Sequence, residues 1–366
     1  MDSGLALIFI FSFTSLFALR KVAKKVQLVD IPSGRKQHQG AIPLIGGIAI
    51  FFTVTLALLV TPDLARNSNL YLFCASVLVV TGAIDDKYDI SFKARLIIQV
   101  LMSIIMIKFG SLYLASLGDL FGFGNLTLNT PLSYIITTLA VLGAINAFNM
   151  VDGIDGLLGG LATVTFSSLG YLFWLDHQLD LYNFCFVIVI ATVPYVMLNL
   201  GFPLGQRFKV FMGDAGSVFI GFTVIWLLVN GTQGENTPLR PVTALWLIAL
   251  PLMDMATIMI RRVRKGQSPF KPDREHLHHI CQRIGLSQRM TLLAICGLAS
   301  LLAYIGILGE QAEISESIMF GAFLMLFVTY YLSITYIWRI TAFLRKFNNS
   351  LTALNIKKEK SNNSAP

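Results

Sequence analysis

The chain has 366 residues, of which 55% are hydrophobic and 13% charged, and its mean hydropathy is +0.69. A soluble domain carries about twice that charged fraction, so a water-soluble globular protein is excluded. The net charge of +8 is spread over short segments that form no separate basic domain, which excludes nucleic acid as a partner.

A run of about 20 apolar residues crosses a bilayer, and eleven candidate spans follow one another in chain order. They lie near 4–19, 42–62, 69–84, 96–115, 131–148, 157–175, 182–199, 215–230, 243–260, 291–309 and 317–338. The chain is therefore read as an all-α, polytopic integral membrane protein with about 11 transmembrane helices in a single domain, 1–346. A polar tail follows over 347–366, and its last residues have the composition of disorder. The first span is not read as a signal peptide, because Arg20, Lys21, Lys24 and Lys25 follow its apolar run. No internal repeat is visible, which speaks against a transporter built from repeated halves. Cys74, Cys185, Cys281 and Cys296 show no metal or disulfide spacing and read as packing residues.

With eleven spans, the segments 20–41, 85–95, 149–156, 200–214, 261–290 and 339–366 share one side. They hold 25 of the 28 Lys and Arg, and only Arg66, Lys108 and Arg240 fall elsewhere. Positive loops stay in the cytoplasm, so the N-terminus is expected outside and the C-terminus inside. Most of the basic residues then need no further role than contact with anionic lipid.

Polar residues in such a chain are informative because an Asp at mid-span costs about 2.5–3.5 kcal/mol on insertion scales. The first group on the inner side is SGRKQHQGAIPLIGG (33–47), with Arg35, Lys36 and His38 ahead of a proline and a glycine pair. Next comes GAIDDKYDISFKAR, with Asp85, Asp86 and Asp89. NAFNMVDGIDGLLGG (146–160) carries Asp152 and Asp155, and FKVFMGDAGS carries Asp214. Single acids at a span end are often interface residues. Three acid-bearing loops on one face, one of them with no basic residue, suggest a hard divalent cation, and Mg²⁺ fits because it takes one or two carboxylates plus substrate phosphates. Gly153, Gly156, Gly159, Gly160, Gly213 and Gly216 flank these acids and allow close backbone approach to a phosphate, though tight helix packing explains Gly159 and Gly160 equally well. Asp254, in PLMDMATIMIRR, is the best candidate for a cation-coupled relay, with Arg261 or Arg262 as its partner. Last, PFKPDREHLHHICQR (269–283) places Arg274, His276, His278 and His279 together. No cysteine pattern supports zinc, and contact with phosphate oxygens is the better reading.

The segments DDKYD, NAFNMVDGIDGLLGG, VFMGDAGS and PDREHLHH resemble the signature segments of the polyprenyl-phosphate N-acetylhexosamine-1-phosphate transferases. They stand in the family's order, and the resemblance runs through nearly the whole chain. It is nearest to the branch that moves GlcNAc-1-phosphate from UDP-GlcNAc to undecaprenyl phosphate. The resemblance implies a multi-pass enzyme of the bacterial inner membrane with its site on the cytoplasmic face, making the lipid-linked first intermediate of a cell-surface polysaccharide. It implies catalytic roles for Asp85, Asp86, Asp152, His276, His278 and His279. Substrate contacts are implied for Arg95, Asn149, Gly153, Asp155, Phe211 and Arg274, with Phe211 stacking on uracil. Asp214, with Asp85 and Asp86, is implied to hold Mg²⁺, for which Mn²⁺ substitutes.

UDP-GlcNAc, undecaprenyl phosphate and membrane lipid are the partners expected, and a homodimer is left open. Direct in-line attack on the β-phosphate is favoured, with Asp85 as a candidate proton acceptor; a covalent aspartyl-phosphate route is the alternative. UDP-GalNAc or UDP-MurNAc-pentapeptide as the donor, and a cation-coupled transporter, are the competing functions.

Overall fold

The computed structural model describes residues 2–31, 40–234, 237–269 and 276–337. Arg35, Lys36, His38, Arg274 and the tail 347–366 lie outside these residues. The described residues form thirteen helices: α1 (Asp2–Val26), α2 (Gly46–Val60), α3 (Ser68–Tyr88), α4 (Phe92–Gly110), α5 (Thr130–Val151), α6 (Leu157–Leu175), α7 (Leu179–Asn199), α8 (Gly213–Thr232), α9 (Pro241–Leu247), α10 (Ala249–Arg264), α11 (Leu277–Arg283), α12 (Gln288–Gln311) and α13 (Glu316–Ile337).

Each expected span falls on helix, and the protein is an all-α membrane protein. Eight helices are long and apolar enough to cross a bilayer, and α9 with α10 meets the same test as one bent pair. Of the two expected spans that remain, α2 has 15 residues, and α4 carries Lys93, Arg95 and Lys108.

Three boundaries differ from expectation, each for a local reason. Residues 42–45 are not helical: Ile42–Pro43 (β2) pairs antiparallel with Val29–Asp30 (β1). The fourth helix starts at Phe92 because Ser91 caps it, its hydroxyl accepting from the Ala94 amide at 3.3 Å. It ends at Gly110, before Ser111 enters the left-handed region. The ninth span is broken, with α9 and α10 meeting at 81°. Pro251 lacks an N–H, and its ring opposes the carbonyl four residues back, at Leu247, where the break falls.

The bundle is arranged around α8. It packs against α2, α3, α5 and α6, and 94% of its membrane-length window is buried. Small residues let the neighbours approach this closely. A methyl group on Gly47 would overlap the backbone of Gly216, and one on Gly82 would meet Ala215 at 2.5 Å. Gly47→Ala should therefore push α2 from α8 and destabilise the protein by about 1–3 kcal/mol. Thermal unfolding in detergent measures this; a melting temperature within one degree of wild type would show that the contact is slack.

Candidate active site

The connections at one end of the bundle enclose a cleft of about 1390 Å³. Its wall draws on five of the segments that the span alternation places on a common side: 20–41 with the strand that follows, 85–95, 149–156, 200–214 and 261–290. Among the described residues, Asp30, Asp85, Asp86, Asp89, Asp152, Asp155 and Asp214 line it, with Asn149, Gly153, Lys209, Phe211, His279 and Arg283.

The acidic centre is built where α3 meets α8. The Asp86 carboxylate accepts from the Asp214 amide at 2.8 Å and the Ala215 amide at 3.3 Å. Met212 supplies no side-chain cap to α8, so Asp86 does so from another helix. Gly213, at φ +74, turns the chain beneath that carboxylate, and a Cβ there would lie 2.5 Å from Asp86 Oδ2. Asp214 is thereby aimed outward, where Oδ1 accepts from Asn149 Nδ2 at 2.7 Å and Oδ2 lies 3.7 Å from Arg95 Nη1. The same guanidinium pairs with Asp85, whose carboxyl stands within hydrogen-bond reach of Asp214.

Two carboxyl groups so placed need a proton or a cation between them. That donor set fits a hard cation. Among the described residues no three His, Cys, Asp or Glu side chains form a ready metal cage; Mg²⁺ needs none, because it is held by one or two carboxylates together with phosphates and water. Both Asp86 oxygens already accept backbone amides, so Asp85 and Asp214 are the better ligands.

A second wall of the cleft is built around Lys209 and Phe211. The Phe211 amide donates to Pro43 O at 2.9 Å, and Phe211 O accepts from Gly46 N at 2.8 Å, which ties 208–212 to the N-terminal connection. Lys209 Nζ bonds Asp155 Oδ2 at 2.6 Å and stands 5.3 Å from the centre of the Phe211 ring. Buried Asn199 joins this wall to α6, accepting from Gly156 N at 2.5 Å and donating to Val210 O at 2.8 Å. Asp152 lines the cleft and is exposed. Desolvation by the surrounding cleft, together with Asp214 and Asp155, pushes its carboxyl up to about 7.

The three histidines separate. His279 lines the cleft, while His278 packs against Gly153, where no side chain larger than hydrogen fits. His276 is buried and its Nδ1 bonds Asp254 Oδ2 at 2.8 Å; neither it nor His278 reaches the cleft surface. Asp254 thus takes a histidine partner instead of Arg261 or Arg262, and at 2% exposure it lines no path through the bundle. Asp30, Lys209, Asn199 and Arg283 carried no signal singled out in the sequence. Lys209 was the most legible of them, two residues before Phe211; the neighbouring Arg207 instead offers its carbonyl to Arg20.

Residues 69–232 match the sequence profile of glycosyl transferase family 4. A protein of Yersinia pestis is 49% identical over 362 residues, covering 99% of both chains. One from Escherichia coli K12 is 50% identical over 96% of this chain and 95% of its own. One from Pasteurella multocida is 51% identical over 94% and 96%. Each of the three is named undecaprenyl-phosphate alpha-N-acetylglucosaminyl 1-phosphate transferase.

Burial, with His279 and His276 nearby, pushes the His278 imidazole down to about 3. Undocked, it titrates near its ordinary value of about 6.5. Between those values the undocked chain binds the extra proton, so docking weakens as pH falls from 7 towards 5 and strengthens as pH rises. Hydrogen exchange over Leu277–Arg283 should accelerate across that window beyond its intrinsic pH dependence, and His278→Gln should remove the excess. An identical pH response in that variant would assign the effect to another group.

Proposed function

The chain belongs to glycosyl transferase family 4, among the undecaprenyl-phosphate alpha-N-acetylglucosaminyl 1-phosphate transferases, and we propose that it transfers GlcNAc-1-phosphate from UDP-GlcNAc to undecaprenyl phosphate. The observation that carries this reading is collinearity with relatives of that name over nearly the whole chain, with the four acidic and histidine segments opening onto one cleft. The products are undecaprenyl-diphospho-GlcNAc and UMP. The protein acts in the bacterial inner membrane, with the cleft on the cytoplasmic face, the N-terminus periplasmic and the C-terminus cytoplasmic; the distribution of Lys and Arg supports this orientation.

A phosphoester's second pKa is near 6, so the lipid phosphate is largely ionised at pH 7 and needs no strong base. One of its oxygens attacks the β-phosphorus of UDP-GlcNAc, and the bond from that phosphorus to the bridging oxygen breaks as UMP leaves. Repulsion between the lipid phosphate and the diphosphate is the obstacle. Arg95, anchored by Asp85, places a cation at the acidic corner, and Lys209 places another beside Phe211. Mg²⁺ held by Asp85 and Asp214 would withdraw charge from the diphosphate oxygens. Phe211 offers its ring to uracil, and His279 and Arg283 reach the cleft from the sugar side.

Membranes containing the protein, supplied with undecaprenyl phosphate and labelled UDP-sugars, test the assignment. Label should transfer from UDP-GlcNAc, poorly from UDP-GalNAc and not from UDP-glucose, since a site built to bond an acetamido group rejects a sugar without one. Transfer from UDP-MurNAc-pentapeptide, or from no UDP-N-acetylhexosamine, would overturn it.

Two substitutions probe the walls of the cleft. Asp214→Asn should lower turnover on the order of 10²-fold or more and raise the Mg²⁺ concentration needed for half-activity, with normal accumulation in the membrane. Unchanged metal dependence would remove Asp214 from the ligand set. Phe211→Ala should weaken binding of UMP by about 1–3 kcal/mol, the range for base–aromatic stacking; titration calorimetry showing an unaltered Kd would return Phe211 to a packing role.

A further inference from the structure

Among the described residues, Asp254 is the one deeply buried acid that the cleft does not use. The residue is 2% exposed, lies within α10, and its carboxylate gathers three donors from two other parts of the chain. Oδ2 accepts from His276 Nδ1 at 2.8 Å. Oδ1 accepts from the Leu277 amide at 3.1 Å and from the Tyr330 hydroxyl of α13 at 2.8 Å. A carboxylate so surrounded is satisfied at its lone pairs, which is how a buried acid is tolerated. Because the carboxylate only accepts, Nδ1 of His276 carries the proton, and the tautomer of that ring is set.

The three histidines are linked in space as well as in sequence. The rings of His276 and His278 lie parallel with centroids 5.8 Å apart, and those of His278 and His279 are 4.2 Å apart. His278 rests on Gly153, and His279, Gln282 and Arg283 enter the cleft. The other end of the same connection is also held by α10, where Arg262 Nη1 donates to Pro269 O at 2.6 Å. The same helix thus holds the described residues on both sides of 270–275, Pro269 on one and His276 with Leu277 on the other.

We propose that Asp254 is a positioning residue: by fixing His276, Leu277 and Tyr330 together it sets where His278 and His279 stand against the cleft. Its effect on turnover rests on the transferase reading above; its effect on the segment does not. Asp254 touches no cleft ligand and acts only through the residues it holds. An Asn in its place keeps the size of the side chain and can still accept from Leu277 and Tyr330. In that orientation its Nδ2 faces His276 Nδ1, donates to it and forces the other tautomer; if the amide turns over, its oxygen accepts from His276 but its NH2 then faces the Leu277 amide, donor against donor. Asp→Asn changes of this kind leave a fold in place while spoiling the orientation and protonation of the histidine.

The test uses the full-length protein in detergent, as wild type, Asp254→Asn, Asp254→Glu and Tyr330→Phe. Three quantities are read: turnover with UDP-GlcNAc, competition by UMP, and hydrogen exchange over Leu277–Arg283. Asp254→Asn should lower turnover at least tenfold, the scale seen when a histidine loses its orienting partner, and change the inhibition constant of UMP less than about twofold. Its exchange over Leu277–Arg283 should quicken. Asp254→Glu should restore part of the turnover, and Tyr330→Phe, which removes one donor of three, should fall between wild type and Asp254→Asn. Wild-type turnover in Asp254→Asn, or a loss of UMP affinity as large as the loss of turnover, would overturn the proposal. So would unaltered exchange in that variant, whatever the donor sugar proves to be. Failure of the wild-type protein to transfer any label strikes the transferase reading instead, and the exchange comparison still decides the role of Asp254.

Discussion

Asp86 reaches from the end of α3 to the first amides of α8, and the geometry of the cleft follows from that contact. The opening turn of a helix has four amides without partners, and α8 has no side-chain cap of its own. A carboxylate from another helix meets that need only if the two ends are held within hydrogen-bond distance. Gly213 makes this approach feasible, since its φ of +74 turns the chain under the carboxylate where a Cβ would collide. Once α3 and α8 are joined, the adjacent residues Asp85 and Asp214 must face each other. Asn149, from α5, then closes the third side through its 2.7 Å bonds to Asp214 and Ser217.

The same arrangement concentrates negative charge. Two unit charges 4 Å apart repel by about 4 kcal/mol at an effective dielectric constant of 20, and seven aspartates share this wall. Arg95 and Lys209 offset part of it, each already engaged with an aspartate. Phosphate groups alone would add to the repulsion. A ligand that brings phosphates is accommodated best when a divalent cation comes with it, which is the physical reason for preferring Asp85 and Asp214 as its holders over the amide-bonded Asp86. The elevated value of Asp152 has the same origin, because enclosure and two neighbouring carboxylates all disfavour a further negative charge.

Much of this was legible in the sequence because it depends on periodicity and on charge. Hydropathy alone located every helix that spans the bundle, and the alternation of Lys and Arg grouped the loops that the structure gathers at one end. What escaped depends on partners far apart in the chain. Asp254 and His276 are 22 residues apart and Asp254 and Tyr330 are 76 apart, so no local pattern distinguishes a buried anchor from a relay. Asn199 looked like one more polar residue at a span end, yet it joins Gly156 to Val210. The break between α9 and α10 was signalled by Pro251, but an apolar window is blind to direction and returned one straight span. His276, His278 and His279 read as a single cluster, and the fold gives each a different neighbour.

The central position of α8 explains why the polar groups lie where they do. A helix surrounded by protein on every side is apolar all round, and α8 between Gly213 and Thr232 has only Asp214 as a charged residue. Such a helix can present a charged side chain at its end without burying it. Its N-terminus is also where unpaired amides favour negative groups, whether the Asp86 carboxylate or an arriving phosphate. The surrounding helices can face lipid on their outer sides while their ends converge on that terminus. A cleft at the end of a membrane bundle can receive both a phosphate borne on a lipid and a ligand that arrives through water. Neither the middle of the bundle nor a separate soluble domain would offer both.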